Sequence, residues 1–166
     1  MNSKMIPVAV INPDAPPESL EAKQPAIDNG AEIYGKDGYF SLDQMEREWE
    51  KVWTESWLIA GVSSDLQAVG DYFLFRVRSE SIIVTKTEEG VKAFYNVCPH
   101  RGARLLTEER GNKKVFVCPF HSWSFRNSGE LRTITDEETF QDSVICHRPG
   151  LTPVACDEHA GLIFIS

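Results

Sequence analysis

A chain of 166 residues, 42% hydrophobic and 25% charged, is long enough to bury most of its apolar surface in about one domain. Its net charge of −8 excludes a general nucleic-acid binder, whose phosphate contacts need clustered Lys and Arg. No apolar run approaches the roughly 18–20 residues that cross a bilayer, so no membrane partner is expected. The amino terminus, MNSKMIPVAVINPDAPP, lacks a sustained apolar stretch before a cleavage site. A cytoplasmic chain is therefore expected, with its four cysteines reduced, metal-bound or buried rather than paired.

Residues 1–38 read as an arm, extended or partly disordered, because Pro7, Pro13, Pro16, Pro17 and Pro25 interrupt any ladder. The first regular element begins at Ser41, which forms a capping box with Gln44. Leu42, Met45, Trp49, Val52 and Trp53 then recur at helical spacing, predicting an amphipathic helix that ends near Glu55. That spacing makes the two tryptophans packing residues.

From there the pattern is that of strands. WLIAGV, DYFLFRV and SIIVTK are followed by a turn at Glu88-Glu89-Gly90, and VKAFYNV leads into Cys98. KKVFV leads into Cys118, SWSF follows before a turn at Asn127-Ser128-Gly129, and LTPVA and GLIFIS close the series. The fold class is all-β, with many short strands and one early amphipathic helix.

The chemistry lies in two short loops. Cys98 and His100 are separated by one residue, Cys118 and His121 by two, and seventeen residues lie between the halves. Each pair ends a β-rich run, so two hairpin-like loops could present four ligands to one point. Three readings meet here: unconnected core and loop residues, a structural zinc site, or a Rieske [2Fe–2S] centre. Common zinc frames pair Cys with Cys and His with His. A Rieske centre puts two cysteines on one iron and two histidines on the other, which gives mixed pairs a reason: each loop supplies one ligand to each iron.

CPHRGARL with CPFHSWSF resembles the Rieske signature of the large (α) subunit of ring-hydroxylating (aromatic) oxygenases. EKVWTESWLIAG, GDYFLFRV, AFYNVCPHRGARL and the run from LTPVA to GLIFIS extend the resemblance over about residues 39–166. It implies a Rieske-type iron–sulfur fold, an antiparallel β-sandwich with an inserted cluster-binding subdomain at about residues 96–126. It also implies one [2Fe–2S] cluster on Cys98, His100, Cys118 and His121, with Arg101, Gly102 and Trp123 around it. Gly102 would let backbone N–H groups approach sulfur, Pro99 and Pro119 would stiffen the loops, Arg101 and Arg104 would offset the reduced cluster's charge, and Trp123 would wall the cluster off.

Replacing two thiolates by neutral imidazoles removes negative charge, which lifts the potential into a window of roughly −150 to +300 mV. High-potential Rieske proteins carry a bridging cysteine in each loop and a Ser and a Tyr near the cluster. Ala103, Phe120, Trp123 and Phe125 stand at those positions here, so the low end of the window is expected.

The implied function is single-electron relay from a ferredoxin or flavin reductase to a mononuclear non-haem iron. In the family that iron occupies a carboxy-terminal catalytic domain, expected to be absent from this chain, so no catalytic residue is assigned and this polypeptide alone should hydroxylate nothing. The parent oxygenase, a dioxygenase or monooxygenase, would be a trimer (α3 or α3β3), with aromatic hydrocarbons as the family's substrate class. A stand-alone Rieske ferredoxin and a zinc-binding interaction module are the alternatives. Cys146, Cys156, His147 and His159 lack partners at ligand spacing and read as ordinary side chains.

Overall fold

The computed structural model describes residues 35–135, 137–141 and 150–166. Nearly all of the arm, and both Cys146 and His147, lie outside the described residues. The chain divides into two units, Met1–Ser41 and Leu42–Ser166. In the first, α1 (Asp37–Phe40) is a single helical turn. The second carries α2 (Leu42–Glu48), a π-helical turn over Trp49–Trp53, and eleven strands among the described residues.

The helical stretch ends at Thr54, whose N–H reaches back five residues to the Trp49 carbonyl. Its extent agrees with the sequence pattern, but its packing does not. Met45, Val52 and Trp53 are 44%, 49% and 47% exposed, and neither helical segment has a buried residue. The expectation that both tryptophans belong to the core is corrected accordingly. Helical spacing puts apolar groups on one face without saying what covers it. Here that face lines an open groove of about 260 Å³ with Val77 and Arg78. Arg78 pairs with Glu46 and lies 5.2 Å from the centre of the Trp49 ring.

The strands are β1 (Leu58–Val62), β2 (Asp71–Val77), β3 (Glu80–Thr87), β4 (Gly90–Tyr95), β5 (Arg110–Asn112) and β6 (Val115–Val117), then β7 (Ser124–Arg126), β8 (Leu131–Thr133), β9 (Pro153–Val154), β10 (Cys156–His159) and β11 (Leu162–Ile165). They form three antiparallel sheets, in the orders β5-β2-β3-β4-β9, β1-β11-β10 and β6-β7-β8. The strands β5, β8 and β10, which hydropathy did not predict, read RGN, LRT and CDEH. They are short and mostly exposed, so no apolar alternation marks them.

Strand β3 explains the layering. Residues 81–85 are buried on both faces, as befits the middle strand of the five-stranded sheet. On one face Ile82 and Val84 join Phe73, Ala93, Ile163 and Ile165, closing the sandwich with β1-β11-β10. On the other, Ile83 joins Tyr72, Leu74, Phe94, Phe116, Phe125 and Trp123, holding down the sheet β6-β7-β8. Cys98 and Cys118 belong to this second core, so the chemistry-bearing loops rest on the fold's own packing.

Candidate metal centre

The two loops share one backbone design. The N–H of Cys98 donates to the Ala103 carbonyl (2.8 Å), and the N–H of Gly102 donates to the Cys98 carbonyl (3.0 Å). The N–H of Cys118 donates to the Trp123 carbonyl (2.8 Å), and that of Ser122 to the Cys118 carbonyl (3.0 Å). The fifth position after each cysteine closes the loop and the fourth folds it back. That fourth residue takes positive φ in both, 73° at Gly102 and 59° at Ser122.

This changes the part expected of Gly102. Its N–H serves the Cys98 carbonyl, and nothing lies within 4 Å of where a Cβ would sit, so the position requires left-handed backbone rather than close approach. The N–H groups that reach the Cys98 sulfur are those of His100 and Arg101. The side chains of Arg101 and Arg104 are exposed.

The four expected ligands come together in two pairs. Cys98 and Cys118 are 1% and 2% exposed, and their thiols hydrogen-bond each other. Burial raises the Cys98 thiol above its ordinary pKa, the His100 and Arg101 N–H bonds oppose this, and Cys118 adds to the rise. Two touching buried sulfurs become thiolates together only if a cation neutralises them. The imidazoles of His100 and His121 meet edge to face, ring centres 4.8 Å apart. Among the described residues, no three His, Cys, Asp or Glu side chains close on a single ion. Sulfur faces sulfur and ring faces ring, a donor set suited to two irons of different ligation.

One atom tests the fit. Nδ1 of His121 is buried and has no hydrogen-bond partner, an unusual position for a ring nitrogen unless it is reserved for a metal. The donor set and this nitrogen fit an iron–sulfur cluster.

Asn96 and Phe140 are absent from the sequence reading, and Phe120 enters it only at the position of a missing bridging cysteine. Asn96 is 1% exposed and fully engaged: Nδ2 donates to Ser81 Oγ (3.1 Å) and to the Leu106 carbonyl (2.7 Å), while Oδ1 accepts from Leu105 (3.2 Å) and Leu106 (2.9 Å). It ties the exit of the first loop to β3. Phe120 lies 4.0 Å from the His121 ring centre, and Phe140 packs edge-on to His100 and Trp123. An amide two residues before Cys98 is all the sequence shows of Asn96, and it does not mark burial. Cys156 and His159 stand apart on β10; burial, with Asp157 and Glu158 beside it, pushes the Cys156 thiol up to about 11.

An antiparallel β-fold carrying two mixed Cys/His loops has the architecture of a Rieske-type iron–sulfur protein. A family model described as the Rieske [2Fe–2S] domain matches residues 56–147, over half the chain, and the chain belongs to that family, whose domain binds a [2Fe–2S] cluster. The oxygenase subunit of carnitine monooxygenase from Escherichia coli K12 is 36% identical over 77% of this chain and 34% of its own. The oxygenase subunit of glycine betaine monooxygenase from Chromohalobacter salexigens is 30% identical over 92% of this chain and 33% of its own. The large oxygenase component of the naphthalene 1,2-dioxygenase system from Pseudomonas aeruginosa is 35% identical over 67% of this chain and 25% of its own. The crystal structure of the apo form of a quaternary ammonium Rieske monooxygenase superposes with a TM-score of 0.74 at 32% identity, over 81% of this chain and 39% of that one. The chain thus spans between about a quarter and two fifths of the length of these relatives. The expectation of aromatic-hydrocarbon catabolism is not supported, since relatives matching most of the chain are named for carnitine and glycine betaine. No helix among the described residues is long and apolar enough to cross a membrane.

Proposed function

We propose that Cys98 and Cys118 hold one iron of the cluster and His100 and His121 the other, within a domain spanning residues 39–166 that relays single electrons inside a Rieske oxygenase. The observation that carries this reading is the pairing itself: two buried sulfurs in contact, two imidazoles in contact, and an unpartnered Nδ1 on His121. Bound there, the cluster supplies one-electron chemistry at a potential set by its mixed ligands. The chain's own groups do the rest. N–H groups of His100 and Arg101 point at the Cys98 sulfur and oppose the effect of its burial, so they would favour the thiolate once iron is bound, and Trp123 and Phe140 exclude water from the His100 side. The cysteines are buried and the histidines half-buried, so a redox partner approaches the imidazole side. A ferredoxin or flavin reductase as donor, a mononuclear iron as acceptor and a trimeric parent assembly complete the reading. A solved relative whose name records inter-subunit electron transfer supports a parent of more than one subunit.

For the whole protein, the carnitine and glycine betaine relatives share a quaternary ammonium group, which supports that substrate class over an aromatic ring. Optical absorption and electron paramagnetic resonance of the purified chain test the cluster. A reddish-brown protein with a low average g-value on reduction supports it; a colourless, zinc-loaded protein refutes it and favours an interaction module. Product analysis of the full-length protein with its reductase, offered carnitine, glycine betaine and naphthalene separately, tests the substrate class.

A further inference from the structure

The two loops match in backbone but not in aromatic side chains. The fifth position after the cysteine is Ala103 in the first loop and Trp123 in the second. Trp123 reaches across the loop boundary and lies flat on His100, ring centres 4.5 Å apart and planes within 5° of parallel. His121 receives no such partner from Ala103. It is covered instead by Phe120 of its own loop, tilted at 32° and 60% exposed. Trp123 is 2% exposed and belongs to the core that also contains both cysteines, Phe116 and Phe125.

Where core packing fixes the separation, a stacked pair can slide but cannot tilt without driving one ring's edge into the other's face. A ring stacked on Trp123, with Phe140 beside the pair at 6.3 Å from His100 and 6.2 Å from Trp123, therefore has its plane held by the core. Phe120, largely in solvent, has no comparable hold on His121. On the cluster reading above, we propose that Trp123 is the positioning residue of the centre. By stacking across the loops, it fixes the plane of His100 and so keeps the two hairpin tips in the one relative placement that presents both imidazoles to a shared iron.

The test separates a π-face from mere bulk, using the cluster-loaded chain. Trp123→Phe keeps a flat face and Trp123→Leu keeps apolar volume without one; Trp123→Met takes the place of Leu should that variant fail to fold. The readouts are the line widths of the reduced resonance spectrum, which broaden when ring orientation is distributed, and the rate of bleaching by an iron chelator. The expected result is near-native line widths and bleaching for Phe, with broadened lines and several-fold faster bleaching for Leu or Met. Unchanged spectra and bleaching in the variant without a π-face would overturn the proposal, as would equal changes in both variants, which would mean that only volume matters. Failure of the cluster reading is a separate outcome, because the unsubstituted protein would then show no Rieske spectrum at all.

Discussion

Gly102 and Ser122 hold the same place in two different loops, each donating its N–H to the carbonyl of the cysteine four residues before it, at 3.0 Å and with positive φ. The left-handed region costs an ordinary L-residue about 1–2 kcal/mol, and glycine almost nothing. The second loop therefore carries strain that the first avoids. Gly102→Ala is expected to destabilise by about 1 kcal/mol although nothing obstructs its Cβ, whereas Ser122→Gly is expected to leave stability unchanged or raise it by less than ~1 kcal/mol. Urea midpoints of the two variants, read by tryptophan fluorescence, check the pair. A tolerant Gly102 would show that its backbone conformation is not required.

Asn96 supports a sharper expectation. Its side chain satisfies the Leu105 and Leu106 N–H groups, the Leu106 carbonyl and the Ser81 hydroxyl, all in the interior. Asn96→Leu preserves size but strands these partners, and each buried polar group left unmade costs about 1–3 kcal/mol. A loss of about 3 kcal/mol or more is expected, together with faster cluster loss, because the first loop's exit is released. Denaturant unfolding and the visible absorbance followed in parallel measure both. A loss below about 1 kcal/mol would mean that water replaces the amide.

The site was more legible in the sequence than its surroundings. Cys98, His100, Cys118 and His121 stand out in the sequence as two mixed pairs, and the structure brings their sulfurs together and their rings together. Strands in the core, such as DYFLFRV and SIIVTK, are equally visible since burial imposes short apolar runs. Edge segments such as β5 and β10 bury little and leave no pattern. The helical apolar stripe misled for the same reason in reverse: Trp49 and Trp53 share a face, but only tertiary structure tells whether anything covers it. The roles of Asn96 and of the Trp123 stack depend on contacts across distant segments, which no local spacing encodes.

His100→Cys tests the electrostatic argument for the ligand set. A thiolate in place of a neutral imidazole adds one negative charge to the cluster, so the reduced form becomes harder to reach. The midpoint potential is expected to fall by on the order of 100 mV or more, towards the range of all-cysteine clusters. A potentiometric titration followed by electron paramagnetic resonance measures it. An unshifted potential would mean that hydrogen bonds and burial, not ligand charge, set the value.

Asp71 connects acid stability to the start of β2. Its carboxylate accepts the Ala68 N–H (2.7 Å), the Asn112 amide (2.8 Å) and the Gln67 N–H (2.9 Å), pinning the preceding turn and the edge strand β5. These bonds, led by that of Ala68 and then Asn112, hold the pKa below the ordinary 3.8 against the opposing effect of burial. A folded-state pKa below the unfolded one means that the unfolded chain binds the proton more readily. The stabilisation is therefore complete above the unfolded value, about 3.9, and is lost as pH falls through the lower folded value. The wild-type chain is expected to be more stable than Asp71→Asn at neutral pH, with the gap closing only on the acid side of pH 4. Thermal melts of both proteins from pH 7 down to pH 3 measure that gap. A gap that shrinks at neutral or alkaline pH would place the titrating group elsewhere.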